Sequence, residues 1–280
     1  TMKGKEAKAI ADGALKELAL ALDDGQSESL KAFLRVMGRF HRYSVGNQLL
    51  IALQRPDAER VAGYRAWQRL GRQVRQGERG IRILAPIVHR LKGRAGARLE
   101  LVDDDDDELR RMVTTFKAAT VFDITQTDGR PLPQFASVQG DPSVFLERLE
   151  AFVLSRGIQL KRSDALGRAL GVSTGGTILL RSNLAPAQAF STLVHETAHE
   201  LLHRDDVGSR VSRTVGETEA EAVAFVVCQA IGLDSGTASS DYIQLYQGDR
   251  KLLMASLERI RATAVEIIEA TREDVLAKAA

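Results

Sequence analysis

The side chains in this sequence best spaced for chemistry are two histidines four positions apart with a glutamate between them, His195-Glu196-Thr197-Ala198-His199. On a helix, positions i and i+4 share a face, so the two imidazoles can grip one cation while Glu196 projects beside them. This is the H-E-x-x-H arrangement of zinc hydrolases. Two imidazoles and a carboxylate leave a coordination position for water, whose pKa falls to about 7, and the adjacent glutamate takes the proton. Ser182 and Asn183 offer capping oxygens, Pro186 suits a first helical turn, and Phe190, Leu193, Val194, Leu201 and Leu202 supply an apolar face. The competing reading, a core helix with a few surface histidines, is disfavoured because charged and imidazole groups seldom crowd a buried face without partners.

A third ligand has to come from elsewhere, and Glu217 lies 18 positions after His199, at the head of the run Glu217-Thr218-Glu219-Ala220-Glu221-Ala222-Val223-Ala224-Phe225. Glu217 and Glu221 share a helical face and Glu219 points away. Glu217 would complete a His₂Glu set, and Glu221, one turn on, would accept the free N–H of a ligand histidine and fix its tautomer. An acidic first turn complementing the helix dipole is the plainer alternative. His203 repeats the four-residue step, but three histidines along one straight helix cannot all converge on a tetrahedral ion, which leaves His203 behind the ligands or at the rim. Tyr242 and His203 are the candidates for an oxyanion donor.

These residues need elements to position them. Periodicity predicts helices at 2–22, 27–42, 44–54 and 63–70, then strands at 73–75, 81–88, 97–102 and 113–125 joined by Gly-rich turns. Pro131, Pro133, Gly140 and Pro142 mark a boundary. Beyond it come a helix at 142–156, strands at 158–161 and 177–181, and the two metal-binding helices. The expectation is an α+β chain of two domains, residues 1–135 and 136–280, each with its own core. A sheet edge above the metal would hold an extended peptide by main-chain bonds. Asp103 to Asp107 reads as a solvated loop, because nothing spaces its carboxylates around an ion.

The single cysteine, Cys228, sits in an apolar helical run and excludes an internal disulfide. No apolar run reaches membrane length and the first helix is amphipathic, so a soluble, cytoplasmic protein is expected, with no membrane partner. The net charge of +2 hides an asymmetry, for residues 31–90 hold 13 Lys and Arg against 3 Asp and Glu. Nearly all of that charge is arginine, which pairs with phosphate in a fork and stacks on bases. Only 5% of the chain is aromatic, yet Tyr43, Tyr64 and Trp67 lie among Arg39, Arg42, Arg65, Arg69, Arg72, Arg75 and Arg79. Cations for a backbone and aromatic faces for unstacked bases point to single-stranded nucleic acid, with Trp67 also a candidate core anchor.

Tyr43-Ser44-Val45-Gly46-Asn47-Gln48, Gly63-Tyr64-Arg65-Ala66-Trp67-Gln68, residues 70–81 and Val121-Phe122-Asp123-Ile124-Thr125-Gln126 together resemble the N-terminal domain of the ArdC antirestriction family. The second half, with His195 to His199, Glu217 to Glu221 and Ser240-Asp241-Tyr242-Ile243, resembles that family's C-terminal zincin-like metallopeptidase domain, related to ImmA/IrrE and SprT-like peptidases. The resemblance implies a single-stranded-DNA-binding N-terminal domain whose contacts include Asn47 as well as the basic and aromatic residues above. It also implies Zn²⁺ held by His195, His199 and Glu217, with Glu196 as general base and Glu221 behind the ligands. The implied activity is zinc-dependent proteolysis of a protein on or near DNA, in antirestriction or DNA–protein crosslink processing. A non-proteolytic DNA-binding protein with a structural zinc is the alternative.

Overall fold

A computed structural model describes residues 4–25, 27–88, 113–131, 142–203, 213–233 and 249–272. The expected strand at 97–102, the run Asp103 to Asp107, most of the expected domain boundary and Tyr242 lie outside them.

Three helices come first: α1 (Gly4–Asp23), α2 (Ser27–Arg39) and α3 (Val45–Gln54). The Ser44 hydroxyl caps α3 by accepting the Asn47 N–H at 3.4 Å. Next come β1 (Val61–Gly63), α4 (Tyr64–Arg69), β2 (Arg72–Val74), β3 (Ile81–Val88), β4 (Val113–Asp123) and, past a 3₁₀ turn at Ile124–Gln126, β5 (Thr127–Gly129). β4 takes β3 on one edge and β1 on the other, both antiparallel, while β2 and β5 form a separate ladder. Gly129 has φ +140°, and a Cβ there would sit 2.4 Å from the Gly71 carbonyl oxygen, so only glycine lets these strands approach. The buried Asp123 carboxylate ends β4 by accepting the N–H groups of Glu59, Arg60 and Thr125 at 2.8, 2.9 and 3.0 Å. Burial pushes its pKa up, but the hydrogen bond from the Thr125 hydroxyl and these backbone donors outweigh burial and hold it below the usual carboxylate range.

In the second half, α5 (Pro142–Ser155) leads to a small mixed sheet. Its central strand β8 (Thr177–Leu180) pairs parallel with β6 (Gln159–Arg162) and antiparallel with β7 (Gly171–Ser173). Helices α6 (Pro186–His203), α7 (Arg213–Ala230) and α8 (Arg250–Thr271) follow. None of the described helices is long and apolar enough to cross a membrane.

The larger hydrophobic cluster draws on both halves of the sequence. Leu22, Leu30, Leu34 and Met37 of α1 and α2 are buried together with Leu149, Phe190, Leu193, Val223, Val226, Leu257 and Ile260. Contact between α2 and α7 is close at Gly38, where a Cβ would lie 3.0 Å from the Val226 carbonyl oxygen. A smaller cluster, with Val36, Phe40, Ile51, Ile81, Ile83 and Val121, belongs to the first half alone. The first three helices thus share a core with the helices that carry the metal-binding motif, where the sequence suggested separate cores. Cys228 is buried in that shared core, as expected.

Candidate metal centre

Packing α6 against α7 brings the motif residues together. The Nε2 atoms of His195 and His199 lie 3.1 Å apart, and Glu217 Oε2 lies 3.6 Å from the first and 3.4 Å from the second. Bonds of ~2.0–2.1 Å at tetrahedral angles place donor atoms about 3.3 Å apart, so this triangle fits one small divalent ion. Both histidines are about one-fifth exposed and Glu217 is half exposed, which leaves one side of the triangle toward solvent.

The flanking groups orient the donors. Glu221 Oε2 lies 3.4 Å from His195 Nδ1, so it can take the Nδ1–H and leave the Nε2 lone pair for the ion. Burial pulls the His195 pKa down, but the hydrogen bond to Glu221 and the charges of Glu196, Glu221 and Glu217 outweigh it and raise the value. Burial and the neighbouring His195 lower that of His199. Glu196 is buried, and desolvation raises its pKa above the ordinary carboxylate value. It lies against β7: a Cβ on Gly171 would sit 2.8 Å from Glu196 Cγ and 3.1 Å from Oε1. Among the described residues β7 is an end strand of its sheet, with β8 on one side only.

Two buried carboxylates escaped the sequence reading. Glu200 accepts the Ser173 hydroxyl at 2.5 Å and the N–H groups of Gly175 and Gly176 at 3.0 and 2.7 Å, tying the β7–β8 turn to α6. Glu219 is fully buried, accepts hydrogen bonds from Arg259 of α8, and lies 3.5 Å from His203 Nε2. His203 is therefore turned to Glu219 behind the donor triangle rather than into it. The available signal was a carboxylate on the apolar side of each helix, which has to find a partner when buried.

The basic region needs corrections. Trp67 is 1% exposed and donates its indole N–H to the Phe122 carbonyl at 2.8 Å, so it anchors the core and has no free face for a base. Asn47 is buried and bonds both backbone groups of Leu84, at 2.9 and 2.8 Å. The Arg72 guanidinium is spent on Thr127, Gly129 and Arg130, and that of Arg39 on the carbonyls of Pro56 and Ala58. Half-buried Tyr43 packs edge-on against Phe40. Arg42 pairs with Glu269 at 3.8 Å, and Arg75 binds Glu78, Asp128 and the Thr125 carbonyl. Tyr64, Arg69 and Arg79, with Arg65, remain exposed.

Comparison with known proteins bears on both regions. Residues 14–122 match the sequence family described as the N-terminal domain of anti-restriction factor ArdC. An uncharacterized Bacillus anthracis protein is 26% identical over 275 residues, covering 85% of this chain, and the chain spans only 46% of that relative's length. Two crystal structures of the antirestriction protein ArdC from plasmid R388 share the fold. The metal-free form has a TM-score of 0.54 at 18% identity, over 94% of this chain and 97% of that one. The Mn(II)-bound form has 0.55 at 20% identity, over 95% and 99%. Residues 14–122 thus match the ArdC N-terminal domain family in sequence, and nearly the whole chain shares the fold of R388 ArdC.

Proposed function

We propose that this protein is a DNA-associated zinc metallopeptidase: residues 1–135 bind single-stranded DNA, and residues 136–280 hydrolyse a peptide bond in a protein on or near it. The observation that carries this reading is the donor triangle of His195, His199 and Glu217, with the buried carboxylate of Glu196 beside it and the edge of β7 against that carboxylate. The Mn(II) bound by R388 ArdC supports a divalent ion, and two imidazoles with one carboxylate favour zinc.

His195, His199 and Glu217 would hold the ion, and Glu221 would keep His195 in the required tautomer. When bound, the ion supplies Lewis acidity, lowering the pKa of a water to about 7 and polarising a carbonyl. Glu196 handles the proton: burial raises its pKa, which suits it to take one and deliver it to a leaving amine. Glu200, by fixing the β7–β8 turn, sets the strand edge along which an extended peptide would add by main-chain hydrogen bonds. Antirestriction, or clearing protein from DNA, is the setting that the likeness to ArdC suggests for this chemistry.

The test is Glu196→Gln in zinc-loaded protein given single-stranded DNA. Wild type is expected to cleave a DNA-bound protein or itself. The variant should keep metal, fold and DNA affinity while losing about 10²–10⁴ in rate. Undiminished cleavage by the variant overturns the mechanism. Equal DNA protection in cells by variant and wild type favours the non-proteolytic DNA-binding role.

A further inference from the structure

A cavity of about 650 Å³ opens between the start of α4, the β2–β5 ladder and the end of β4, away from the metal centre. Its walls are aromatic. Tyr64 is 43% exposed, and its ring meets Phe122 edge to face at 6.4 Å. Gln73 donates to the Tyr64 hydroxyl, which fixes the ring. Phe122 lies over the backbone at Gly80, where a Cβ would come within 3.0 Å of the ring. The floor is the buried Val74.

The rim is polar but not an anion trap. Arg75 is matched by two carboxylates, Glu78 at 2.8 Å and Asp128 at 3.3 Å, so a phosphate gains little by entering. The Gln76 amide, the Gln73 carbonyl oxygen and the exposed Asp128 carboxylate offer donors and acceptors together. That combination suits the edge of a flat, neutral, heteroaromatic group. Close by in sequence, exposed Arg65, Arg69 and Arg79 form no ion pair with any described residue, which leaves their charge for phosphates outside the cavity.

We propose that this cavity receives one unpaired base of single-stranded DNA, stacked on Tyr64, while the backbone runs over the neighbouring arginines. The proposal deepens the DNA-binding reading above and rests on it. Base stacking on an aromatic side chain is sequence-tolerant, and its removal by alanine costs between about 5-fold and about 160-fold in affinity.

The experiment uses the full chain and two oligonucleotides of equal length, one of mixed sequence and one carrying only abasic sugars. Wild type should bind the base-bearing strand more tightly. Tyr64→Ala should weaken that binding by the factor above and leave the abasic strand within about twofold, whereas Tyr64→Phe, which keeps the ring, should match wild type. Tyr64→Ala that affects both strands equally, or neither, overturns the proposal. So does a wild type that binds both strands equally well, which leaves the DNA-binding reading intact. A wild type that binds neither strand sinks that reading and this one together.

Discussion

The metal centre and the basic region are both rich in residue types that do chemistry, yet one converges on a point and the other largely turns inward. His195, His199, Glu217 and Glu221 meet within a few ångströms, while Trp67, Asn47, Arg72 and Arg39 bind their own backbone. The difference lies in what sequence spacing fixes. A helix dictates that residues four apart share a face, so the geometry of a H-E-x-x-H pair is set locally. No local rule says whether a guanidinium will meet a phosphate or a carbonyl contributed from far along the chain. Arg72 finds its acceptors on residues 127–130, and the Trp67 indole finds Phe122.

The strongest way to break this comparison is Trp67→Ala. If Trp67 is an anchor, the variant should lose about 3–5 kcal/mol of stability, and DNA binding should fail only as the fold fails. Denaturant unfolding beside DNA titration checks this. Full stability with lost DNA affinity would return Trp67 to the binding surface.

His41 sharpens the comparison from the other side, because it is a residue of the basic region buried where that region meets α8. Burial, with the charges of Arg272, Arg42 and Arg261, lowers its pKa to about 4. Above pH ~6.5 it is neutral in both folded and unfolded chains and contributes no slope. As pH falls below that, the unfolded chain takes a proton that the fold refuses. Stability should therefore drop between pH ~6.5 and about 4, by up to about 3 kcal/mol, and the residue adds nothing further below that window. Urea unfolding of metal-free wild type and His41→Gln across this range should show the slope flattened in the variant. Equal slopes would mean that His41 is not held neutral.

Much of the scaffold of the site was legible in the sequence. The helix carrying His195 and the one carrying Glu217 were both expected, as were the long strands β3 and β4, because each spans enough residues for periodicity to show. β1, β5 and β7 were not, since three residues display little pattern, and β2, equally short, showed only through the glycines that flank it at 71 and 77. β7 matters most, because its fit against Glu196 depends on Gly171 having no side chain. α8 was also not placed, and with it went Arg259, the partner that explains a fully buried Glu219. Partners this distant are set by packing, which sequence spacing does not encode.

Within the metal centre, Glu221→Ala tests whether convergence extends past the donors. Loss of a carboxylate that orients a ligand histidine typically costs 10–100-fold in metal affinity. Glu217→Ala should cost more than Glu221→Ala, and His203→Ala less, because His203 faces Glu219. Metal titration with a competing chelator ranks the three. If His203→Ala strips the metal while Glu217→Ala retains it, the donor triangle is wrong.

The smallest expected effect separates spent arginines from free ones. A guanidinium that neutralises one phosphate releases counterions, so its removal lowers the slope of log affinity against log salt by about 0.7 on a single strand. Arg79→Ala removes an exposed side chain with no described ion-pair partner and should show that change with stability intact. Arg72→Ala removes hydrogen bonds to Thr127, Gly129 and Arg130 that hold β2 to the segment at β5, so its main effect should be on stability. Measured in folded protein, the Arg72→Ala salt slope should change less than that of Arg79→Ala, since the Arg72 N–H groups already bond acceptors of the chain and cannot close on a phosphate. A reduced slope for Arg72→Ala with an unchanged one for Arg79→Ala would reverse the assignment of spent and free arginines.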